Sequence, residues 1–493
     1  MSETAHAQPS LLQALIPVLF LVGLLAASVA FFGSDSSLGP NQIVLMLGAI
    51  VAAAVGMRLG FTWKELQDGM VNGVSLAMGA IFILLVVGSL IGTWIMAGIV
   101  PTMIYYGLQI LNPQIFYPAC AIICALVAVS TGSSWTTVST VGIALVGVAG
   151  AMGLHLGITA GAIISGAYFG DKLSPLSDTT NLAPAMVGSD LFTHIRHMLW
   201  TTVPSILIAL TCFTLLGLFG AAPSESGSLQ VMLDALSSSF NIGWHLLLPL
   251  AAVLFVIFKK VPAFPALLFG ALLGGVFAIV FQQDVVLGYV GETTLPRWVA
   301  LIKGFWMAMF GTFTAATGNA QLDDLLTRGG MASMLNTIWL VISAMMFGAA
   351  MEKPGFLAVL AARILGAAKS TGSLIAATLT TSIGMNIIAG DQYIAIVVPG
   401  RMFRAEYQER RLDPKNLSRA LEDAGTLTSP LIAWNTCGAF MATTLGVPTF
   451  AYMFYAFFNW MNPIISAIYG ITGFTIVPLP KDEDAPVLAE VAV

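Results

Sequence analysis

Apolar residues recur along the chain in long runs that short polar segments separate, and this pattern predicts a bundle of membrane-spanning helices. The clearest run covers residues 11–32, and comparable runs follow over most of the 493 residues. One membrane span needs about twenty apolar residues, so a chain of this length with short connections has room for about eleven to thirteen spans. We therefore predict an all-α polytopic membrane protein with about 11–13 transmembrane helices.

Several of the apolar runs are too short for a full crossing and are rich in Gly, Ser, Thr and Pro. Irregular backbone is tolerated at membrane depth only where protein or a water-filled cavity satisfies its polar groups. These runs therefore predict broken helices and re-entrant hairpins, which are the places where a membrane protein holds polar chemistry.

Composition excludes several classes of protein. The chain is 57% hydrophobic and 9% charged, whereas a soluble domain has roughly 25% charged residues. The net charge of −5 leaves no basic face for nucleic acid. No H-E-x-x-H motif, Gly-rich phosphate loop or nucleophile triad is present, so we expect neither an enzyme nor a bound cofactor.

Cysteines and histidines suggest no metal site in the sequence. The four cysteines have no C-x-x-C spacing, and we interpret them as packing residues: Cys120, Cys124, Cys212 and Cys437. His194 and His197 flank Arg196, which predicts the solvated face of an interfacial helix.

Basic residues in short connections predict the orientation. Three groups, at 58–64, at 259–260 and at 401–419, are placed on the cytoplasmic side, which puts the N-terminus inside. Residues 1–10 contain no Lys or Arg, so the run at 11–32 is expected to be a first span rather than a cleaved signal peptide.

Short motifs recur at an offset near 255 residues, which favours two related halves. The matches are Ser174-Pro175-Leu176 with Ser429-Pro430-Leu431, Gly98 with Gly355, Gly132 with Gly384, and Phe192 with Phe450. The predicted organisation is an N-terminal helical hairpin at 1–57, a first transport repeat at 58–220, a linker with connecting helices at 221–330 that is clearest at 221–243, a second transport repeat at 331–474, and a disordered tail at 475–493.

The first candidate site is the segment 170–181. It holds Asp171 and Asp178, and Pro175 breaks its helical pattern. A charge at the bilayer centre costs about 2.5–3.5 kcal/mol, so an intramembrane carboxylate indicates function. Hard cations take oxygen ligands, which discontinuous helices supply. We predict that the polar side chains of this segment bind an ion or a proton: Asp171, Ser174, Asp178, Thr179, Thr180 and Asn181. Of these, Asp178 and Asn181 are the predicted ligands of the cation. The alternative is a polar loop with a capping Asp.

A second candidate site lies at 417–436 in the other half. Glu422 and Asp423 precede a Ser/Thr-rich run, and Asn435 falls near the position that Asn181 has in the first half. These three side chains are predicted to bind the ion or proton, opposite the first site. The alternative is an amphipathic helix in which Arg419 pairs with Asp423.

Two further segments place polar side chains at the ends of apolar runs, as the tips of re-entrant hairpins would. Asn386 and Asp391 are predicted to join the ion or proton site. The residues predicted to line a hairpin or substrate path are Ser133, Ser134, Thr136 and Ser429. Hydroxyl side chains also pack ordinary membrane helices, which is the alternative for any one of them.

The motifs GDKLSPLSDTTNLA (170–183), GSSWTTVSTVG (132–142), DLFTHIRHM (190–198), NIIAGDQY (386–393) and LSRALEDAGTLTSPLIAWNTCG (417–438) resemble the NhaC family of sodium/proton antiporters, within the ion-transporter superfamily. The resemblance implies a multi-pass protein of the prokaryotic plasma membrane that exchanges Na+ for H+. Some members are similar in these motifs and exchange malate for lactate. The expected partners are therefore Na+, H+, the lipid bilayer and, as the alternative, small organic acids. The oligomeric state stays open, a homodimer included.

The mechanism that we expect is competition at one buried carboxylate, Asp178 first and Asp171 or Asp423 next. Burial away from water favours the neutral forms, and only a carboxylate neutralised by Na+ or H+ permits the change between inward and outward states. Lys172 is expected to hold Asp171 ionised. The alternatives are an organic-acid exchanger, with helix N-termini near Ser133, Ser174 and Ser429 holding the substrate, and a sensor that binds ions without transport.

Overall fold

The computed structural model describes residues 6–220 and 226–479, and these residues form helices and no strand. The all-α prediction is confirmed. By length and composition, nine helices of the described part can cross a membrane, or eleven if each of two bent pairs forms one span. The highest count, eleven spans, equals the lower end of the predicted range of 11–13. The count is low because several apolar runs are broken into shorter helices.

The helices of the first part of the chain are α1 (Leu11–Phe32), α2 (Pro40–Arg58), α3 (Trp63–Leu76), α4 (Met78–Met96), α5 (Ile99–Ile110), α6 (Phe116–Thr131), α7 (Ser134–Thr137), α8 (Ile143–Ala151), α9 (Leu156–Leu173), α10 (Asp178–Val187) and α11 (Leu191–Gly220). A π-helical segment, Val138–Gly142, joins α7 to α8, so that residues 134–151 form one helical run.

The middle helices are α12 (Ser226–Ser239), α13 (Leu248–Phe258), α14 (Ala263–Phe281), α15 (Gln283–Val290), α16 (Arg297–Phe310) and α17 (Ala320–Leu326). The last part contains α18 (Leu335–Glu352), α19 (Phe356–Gly366), α20 (Thr371–Ala389), α21 (Gln392–Glu409), α22 (Pro414–Leu421), α23 (Thr436–Leu445), α24 (Thr449–Tyr452) and α25 (Phe457–Thr472). The segment 221–243, interpreted as a linker, thus holds a helix. The prediction of a disordered tail at 475–493 is wrong for its first residues, because Val477 and Leu479 make backbone hydrogen bonds with Asp413 and Arg411. Residues 480–493 lie outside the described part.

The predicted N-terminal hairpin consists of α1 and α2, which pack together. Helix α1 begins with a capping box, in which the Ser10 hydroxyl accepts the N–H of Gln13 and the Gln13 side chain accepts the N–H of Ser10. Pro40 starts α2 at a position where the missing N–H costs nothing. These local signals explain why the apolar run at 11–32 forms a helix of its own.

Helix α3 is fixed by a second capping box, between Thr62 and Glu65. Glu65 Oε2 lies 2.7 Å from the Thr62 N–H nitrogen, and this hydrogen bond holds the pKa of the Glu65 carboxyl below its ordinary value. A carboxylate with a lowered pKa adds stability above its ordinary pKa, and this stability is lost as the pH falls through the lowered value.

We therefore expect Glu65→Gln to lower the melting temperature of the purified protein near neutral pH. The difference from the wild type should shrink as the pH falls below 4.5, the ordinary pKa of this group. Thermal melting over a pH series measures this. Asp68→Asn, an exposed change on the same helix, is the matched control, and an equal difference at every pH would contradict the expectation.

The two halves match through three glycines in the left-handed region. Gly98, Gly132 and Gly188 have φ angles of 74°, 70° and 80°. Each has a counterpart at an offset of 257 or 258 residues: Gly355 with φ 86°, Gly390 with φ 69° and Gly446 with φ 69°. Positive φ favours glycine because it has no Cβ. These positions therefore mark the same helix ends in both halves.

The pairing of Gly132 with Gly384 is wrong, because Gly384 lies inside α20 and the counterpart of Gly132 is Gly390. The pairing of Phe192 with Phe450 is consistent with the structure: both residues lie at the second position of a helix, α11 and α24, at the same offset of 258. The repeat is thus present, with a spacing slightly longer than predicted.

The two halves run in opposite directions. Gly69, Gly73 and Gly88 lie in turn against Lys353, Ala349 and Gly330, so α3 and α4 are antiparallel to α18. Because α4 and α18 each precede an equivalent left-handed glycine, they are equivalent helices. Their antiparallel packing shows that the halves have inverted topology.

Helices α6 and α9 pack backbone against backbone. An added Cβ on Gly166 would lie 2.0 Å from the carbonyl oxygen of Ala121, and one on Gly170 would lie 2.4 Å from that of Ala125. Small residues permit such close approach between membrane helices. This packing fixes the C-terminal end of α9, and with it Asp171, beside the chain that leaves α6.

Candidate functional site

Asp171 lies where the N-terminus of one helix meets the C-terminus of another. After Gly132 ends α6, the Ser133 hydroxyl caps α7 by accepting the N–H of Thr136. The backbone N–H of Ser134, in the first turn of α7, donates to Asp171 Oδ2 at 3.0 Å. First-turn N–H groups have no partner within their helix and favour negative charge. The carboxylate, 9% exposed, is held by this donor.

The break between α9 and α10 is stabilised by hydroxyl groups. Ser177 caps α10, and Thr180 Oγ1 donates to the carbonyl oxygens of Asp171 and Lys172 at 3.3 and 3.2 Å. These contacts satisfy carbonyls at the end of α9, so the helix can stop inside the protein. Ser174 is buried, and its hydroxyl accepts the N–H of Leu176.

Asp178 and Asn181 were predicted to be cation ligands at a buried site, but the structure places both side chains at exposed positions. Asp178 is the first residue of α10 and is exposed. Its carboxylate does not cap the helix, because Ser177 fills that role. Asn181 is also exposed, and its amide donates to the carbonyl oxygens of Pro175 and Ser177 at 2.9 and 2.7 Å. That amide stabilises the turn.

In the second half, Asp391 and Thr436 form the corresponding junction. Asp391 follows Gly390 and caps α21, where Oδ1 accepts the N–H groups of Tyr393 and Ile394 at 2.8 and 3.3 Å. Its second oxygen, Oδ2, accepts the Thr436 hydroxyl at 3.2 Å. Asp391 is 7% exposed, so a second buried carboxylate stands at a helix start.

Asn386 and Asn435 connect the broken parts of the second half. Asn386 donates to the carbonyl oxygen of Gly425 at 2.6 Å and to Thr428 Oγ1 at 3.0 Å. Asn435 caps α23 and donates to Asn386 Oδ1 at 3.1 Å. By its place as a cap, Asn435 corresponds to Ser177 rather than to Asn181. Both asparagines are fully buried and hold the backbone in place.

A cavity of about 870 Å³ brings these junctions together. Of the predicted residues, those that line it are Ser133, Ser134, Thr136, Asp171, Asp178, Thr179 and Asp391. Thr436, Gln392 and Tyr393 also line it. Two further segments contribute to the lining: the junction of α3 and α4, with Leu76, Ala77, Gly79, Ala80, Phe82 and Ile83, and the turn between α13 and α14, with Ile257, Lys260, Val261, Pro262, Ala263 and Phe264. The cavity therefore places carboxylates of both halves on a shared space.

The other predicted residues lie outside this cavity lining: Ser174, Thr180, Asn181, Asn386, Glu422, Asp423, Ser429 and Asn435. Ser429 is buried, and its hydroxyl donates to the carbonyl oxygen of Thr426 at 2.6 Å. Glu422 belongs to the π-helical segment Glu422–Thr426 that follows α22, and Glu422 Oε1 accepts the hydroxyl of Thr179 at 3.0 Å. Thr179 thus contacts both the cavity and the buried Glu422.

Asp423 pairs with Lys172, not with Arg419. The Lys172 ammonium contacts Asp423 Oδ1, and both side chains are completely buried. Arg419 instead donates to Thr475 Oγ1 at 2.9 Å. The predicted pairing of Lys172 with Asp171 is also wrong, because neighbouring residues on a helix point in different directions. Asp171 lines the cavity, while Lys172 contacts the buried carboxylate of the other half.

His194 and His197 are buried on α11, so their interpretation as a solvated face is wrong. His194 Nδ1 lies 2.8 Å from the hydroxyl of Ser418. Only Arg196 between them is exposed. Across residues 6–220 and 226–479, no group of three or more His, Cys, Asp or Glu side chains has the geometry to hold a metal ion. Cys120, Cys124 and Cys437 are buried packing residues, as predicted.

The sequence reasoning assigned no role to Thr436, Thr201 and Asn462, and it gave Lys172 the wrong partner. Thr436 lies 258 residues after Asp178, so the repeat spacing gives a signal for it once the offset is set by the glycines. Lys172 pairs across 251 residues of sequence, and local pattern carries no signal for that contact.

Inverted halves, broken helices and carboxylates at helix ends around one cavity define a secondary membrane transporter. The comparisons with known proteins give the family. Residues 166–474 match the model of the Na+/H+ antiporter family, and the chain belongs to this family.

Three relatives are similar to the chain over most of their length. The Na(+)/H(+) antiporter NhaC of Alkalihalophilus pseudofirmus is 40% identical, over 88% of this chain and 91% of the relative. The malate-2H(+)/Na(+)-lactate antiporter of Bacillus subtilis is 35% identical, over 94% and 95%. The arginine/ornithine antiporter ArcD of Halobacterium salinarum is 35% identical, over 98% and 96%. By their names, all three are antiporters rather than enzymes.

Proposed function

We propose that this protein exchanges Na+ for H+ across the prokaryotic plasma membrane. The observation that carries the proposal is the cavity in which Asp171 and Asp391, one from each inverted half, stand at the starts or ends of broken helices. The NhaC relatives, which are Na+/H+ antiporters by name, support the choice of ions. The N-terminus is proposed to be cytoplasmic, on the side of the basic connections.

Asp171 is the carboxylate that we propose as the main binding group for Na+ and H+. It is buried, it lines the cavity, and its Oδ2 accepts one N–H from Ser134. An ionised carboxylate removed from water is unfavourable unless it is paired, so it takes up either a cation or a proton. Competition between Na+ and H+ at this group couples their movements. Asp391 supplies a second carboxylate from the other half, with Thr436 as a hydroxyl donor.

Asp178 serves as the cavity-wall carboxylate that attracts the cation. It is exposed to the cavity and begins α10. A fixed charge on the wall of a cleft raises the local concentration of the opposite ion. In this proposal Asp178 delivers Na+ to Asp171, whereas the sequence alone placed Asp178 first.

We expect Asp178→Asn to abolish Na+-dependent proton movement at low Na+ in everted membrane vesicles, with the amount of protein in the membrane unchanged. If attraction is its role, raising Na+ should restore part of the exchange. A pH-sensitive dye follows the proton movement. Asp190→Asn, the same change at an exposed carboxylate that does not line the cavity, is the comparison. Normal exchange by Asp178→Asn at all Na+ concentrations removes Asp178 from the site.

An organic-acid exchanger is the second candidate. The cavity of about 870 Å³ is much larger than an ion requires, and the malate/lactate relative covers most of the chain. However, the cavity lining holds three carboxylates, Asp171, Asp178 and Asp391, against one ammonium, that of Lys260, so its charge disfavours an anion. Uptake of radiolabelled malate and lactate by reconstituted liposomes, compared with Na+-driven proton movement in the same preparation, separates the two candidates.

A further inference from the structure

Lys172 places its ammonium in an enclosed site, where the ammonium contacts oxygen atoms of two other helical segments, and a third segment holds one of those oxygens in place. Its ammonium contacts Asp423 Oδ1 in the π-helical segment after α22 and donates to Asn462 Oδ1 of α25 at 3.0 Å. Thr201 of α11 donates to the same Asp423 oxygen at 3.1 Å. Lys172, Asp423 and Asn462 are each 0% exposed. These surroundings are therefore typical of a cation site, and the cation that occupies it is the ammonium group of Lys172.

Polar atoms in this cluster remain without a hydrogen-bond partner in the described part of the chain. They are Asp423 Oδ2, Asn462 Nδ2 and Glu422 Oε2. Buried polar atoms are nearly always paired, so such a group indicates an incomplete site. The carboxylate of Asp423 could bind a cation through both oxygens, whereas Lys172 uses one. Oxygen donors of this kind are the ligands that small hard cations take.

Of the other charged groups near the cluster, Arg419 interacts electrostatically with Asp423, but the direct ion pair of Asp423 is with Lys172. Arg419 donates to Thr475, and Asp171 accepts from Ser134 and lines the cavity. Glu422 is a second carboxylate and adds negative charge, and the side chain of His194 contacts Ser418. Lys172 is thus the group that neutralises Asp423 from a different helix.

We propose that Asp423, Asn462 and Thr201 form a second monovalent cation site, and that the ammonium of Lys172 fills it permanently. This inference rests on the proposed function, because it assigns the number of ions that the protein binds. Lys172 therefore restricts the binding of transported cations to the cavity. Removal of the ammonium should convert the enclosed cluster into a second Na+ site.

The first test compares thermal melting of detergent-purified protein in NaCl and in choline chloride. Lys172→Met leaves Asp423 buried without its direct ion-pair partner, so it should melt well below the wild type in choline. Na+ should recover at least half of that loss, because Na+ takes the place of the ammonium. The double variant Lys172→Met/Asp423→Asn removes the Asp423 charge together with the ammonium, and its Na+-dependent shift should match that of the wild type.

Lys303→Met is the matched control, because Lys303 also pairs with a carboxylate, Glu292, but at an exposed position. Its melting should respond to Na+ as the wild type does. An equal deficit of Lys172→Met in NaCl and choline would overturn the proposal, and so would an extra Na+ shift in the double variant. If the Lys172→Met protein folds only when Na+ is present throughout purification, and not in choline, this result would support the proposal.

The second test measures the ratio of Na+ to H+ in proteoliposomes from the gradients at which net flux stops. Lys172→Met should bind one more cation per cycle, and the double variant should return to the wild-type ratio. An unchanged ratio in an active Lys172→Met protein contradicts the proposal. If the wild type moves no Na+ or H+, the proposed function fails, while the melting comparison still decides the role of Lys172.

Discussion

Asp171→Asn is expected to abolish Na+/H+ exchange while the protein still reaches the membrane. The substitution keeps the size of the side chain and an oxygen for the N–H of Ser134, but it removes the charge that binds Na+ and the group that takes up a proton. Loss of one partner from a buried charge pair costs about 2–5 kcal/mol, so Na+ binding at this position weakens by roughly 30-fold or more. Dye-based flux measurements in proteoliposomes should therefore show no Na+-dependent proton movement at Na+ concentrations that saturate the wild type.

Asp190→Asn is the matched control for this prediction. Asp190 is an exposed carboxylate that precedes α11, and its pKa is lowered because it accepts the N–H of Thr193. Asparagine also caps a helix, so the exchange rate and the Na+ dependence should stay those of the wild type. Exchange by Asp171→Asn at the wild-type rate and Na+ concentration would show that the cavity carboxylate of the first half does not carry the ion.

Gly166→Ala is expected to cause a large loss of stability for the addition of a single methyl group. The new Cβ would lie 2.0 Å from the carbonyl oxygen of Ala121, a backbone atom that cannot move without separating α6 from α9. Overpacking costs about 1–3 kcal/mol and more when backbone must shift. We expect the melting temperature of the purified protein to fall by roughly 5 °C or more, with exchange lost because Asp171 leaves its position beside Ser134.

Gly384→Ala provides the comparison, because an added Cβ there meets no atom within 4 Å. Alanine favours a helix over glycine by about 1 kcal/mol, so this variant should melt at or above the wild-type temperature. Equal melting of Gly166→Ala and the wild type would mean that α6 and α9 tolerate separation, which contradicts their close packing.

Hydropathy alone predicts the all-α membrane fold, because lipid accepts only structures that satisfy their own backbone, and for apolar runs this means helices. The repeat is also visible in the sequence, through Ser174-Pro175 and Ser429-Pro430. The exact spacing of the repeat could be determined only from the structure, because glycine occurs both at left-handed helix ends and as a packing residue within a helix. Gly390 and Gly384 differ in this respect, and only the backbone angles distinguish them.

The candidate site could be predicted only in part. Asp171 and Asp391 follow from the rule that intramembrane carboxylates are functional, and Ser134 follows from the hydroxyl-rich end of α6. The roles of Lys172 and Asp423 could not be predicted, because their contact joins distant parts of the chain. His194 looks solvated beside Arg196, but its burial results from packing against α22, which local charge does not reveal.

The backbone contact between α6 and α9 has a consequence for how the transporter moves. With no side chain at Gly166 or Gly170 to slide or rotate, the two helices form a single rigid body that carries Ser134 and Asp171 together. We therefore expect the first-half face of the cavity to keep its shape during transport. We expect access from alternate sides of the membrane to come from displacement of other lining segments, at the junction of α3 and α4 and at the turn that holds Lys260.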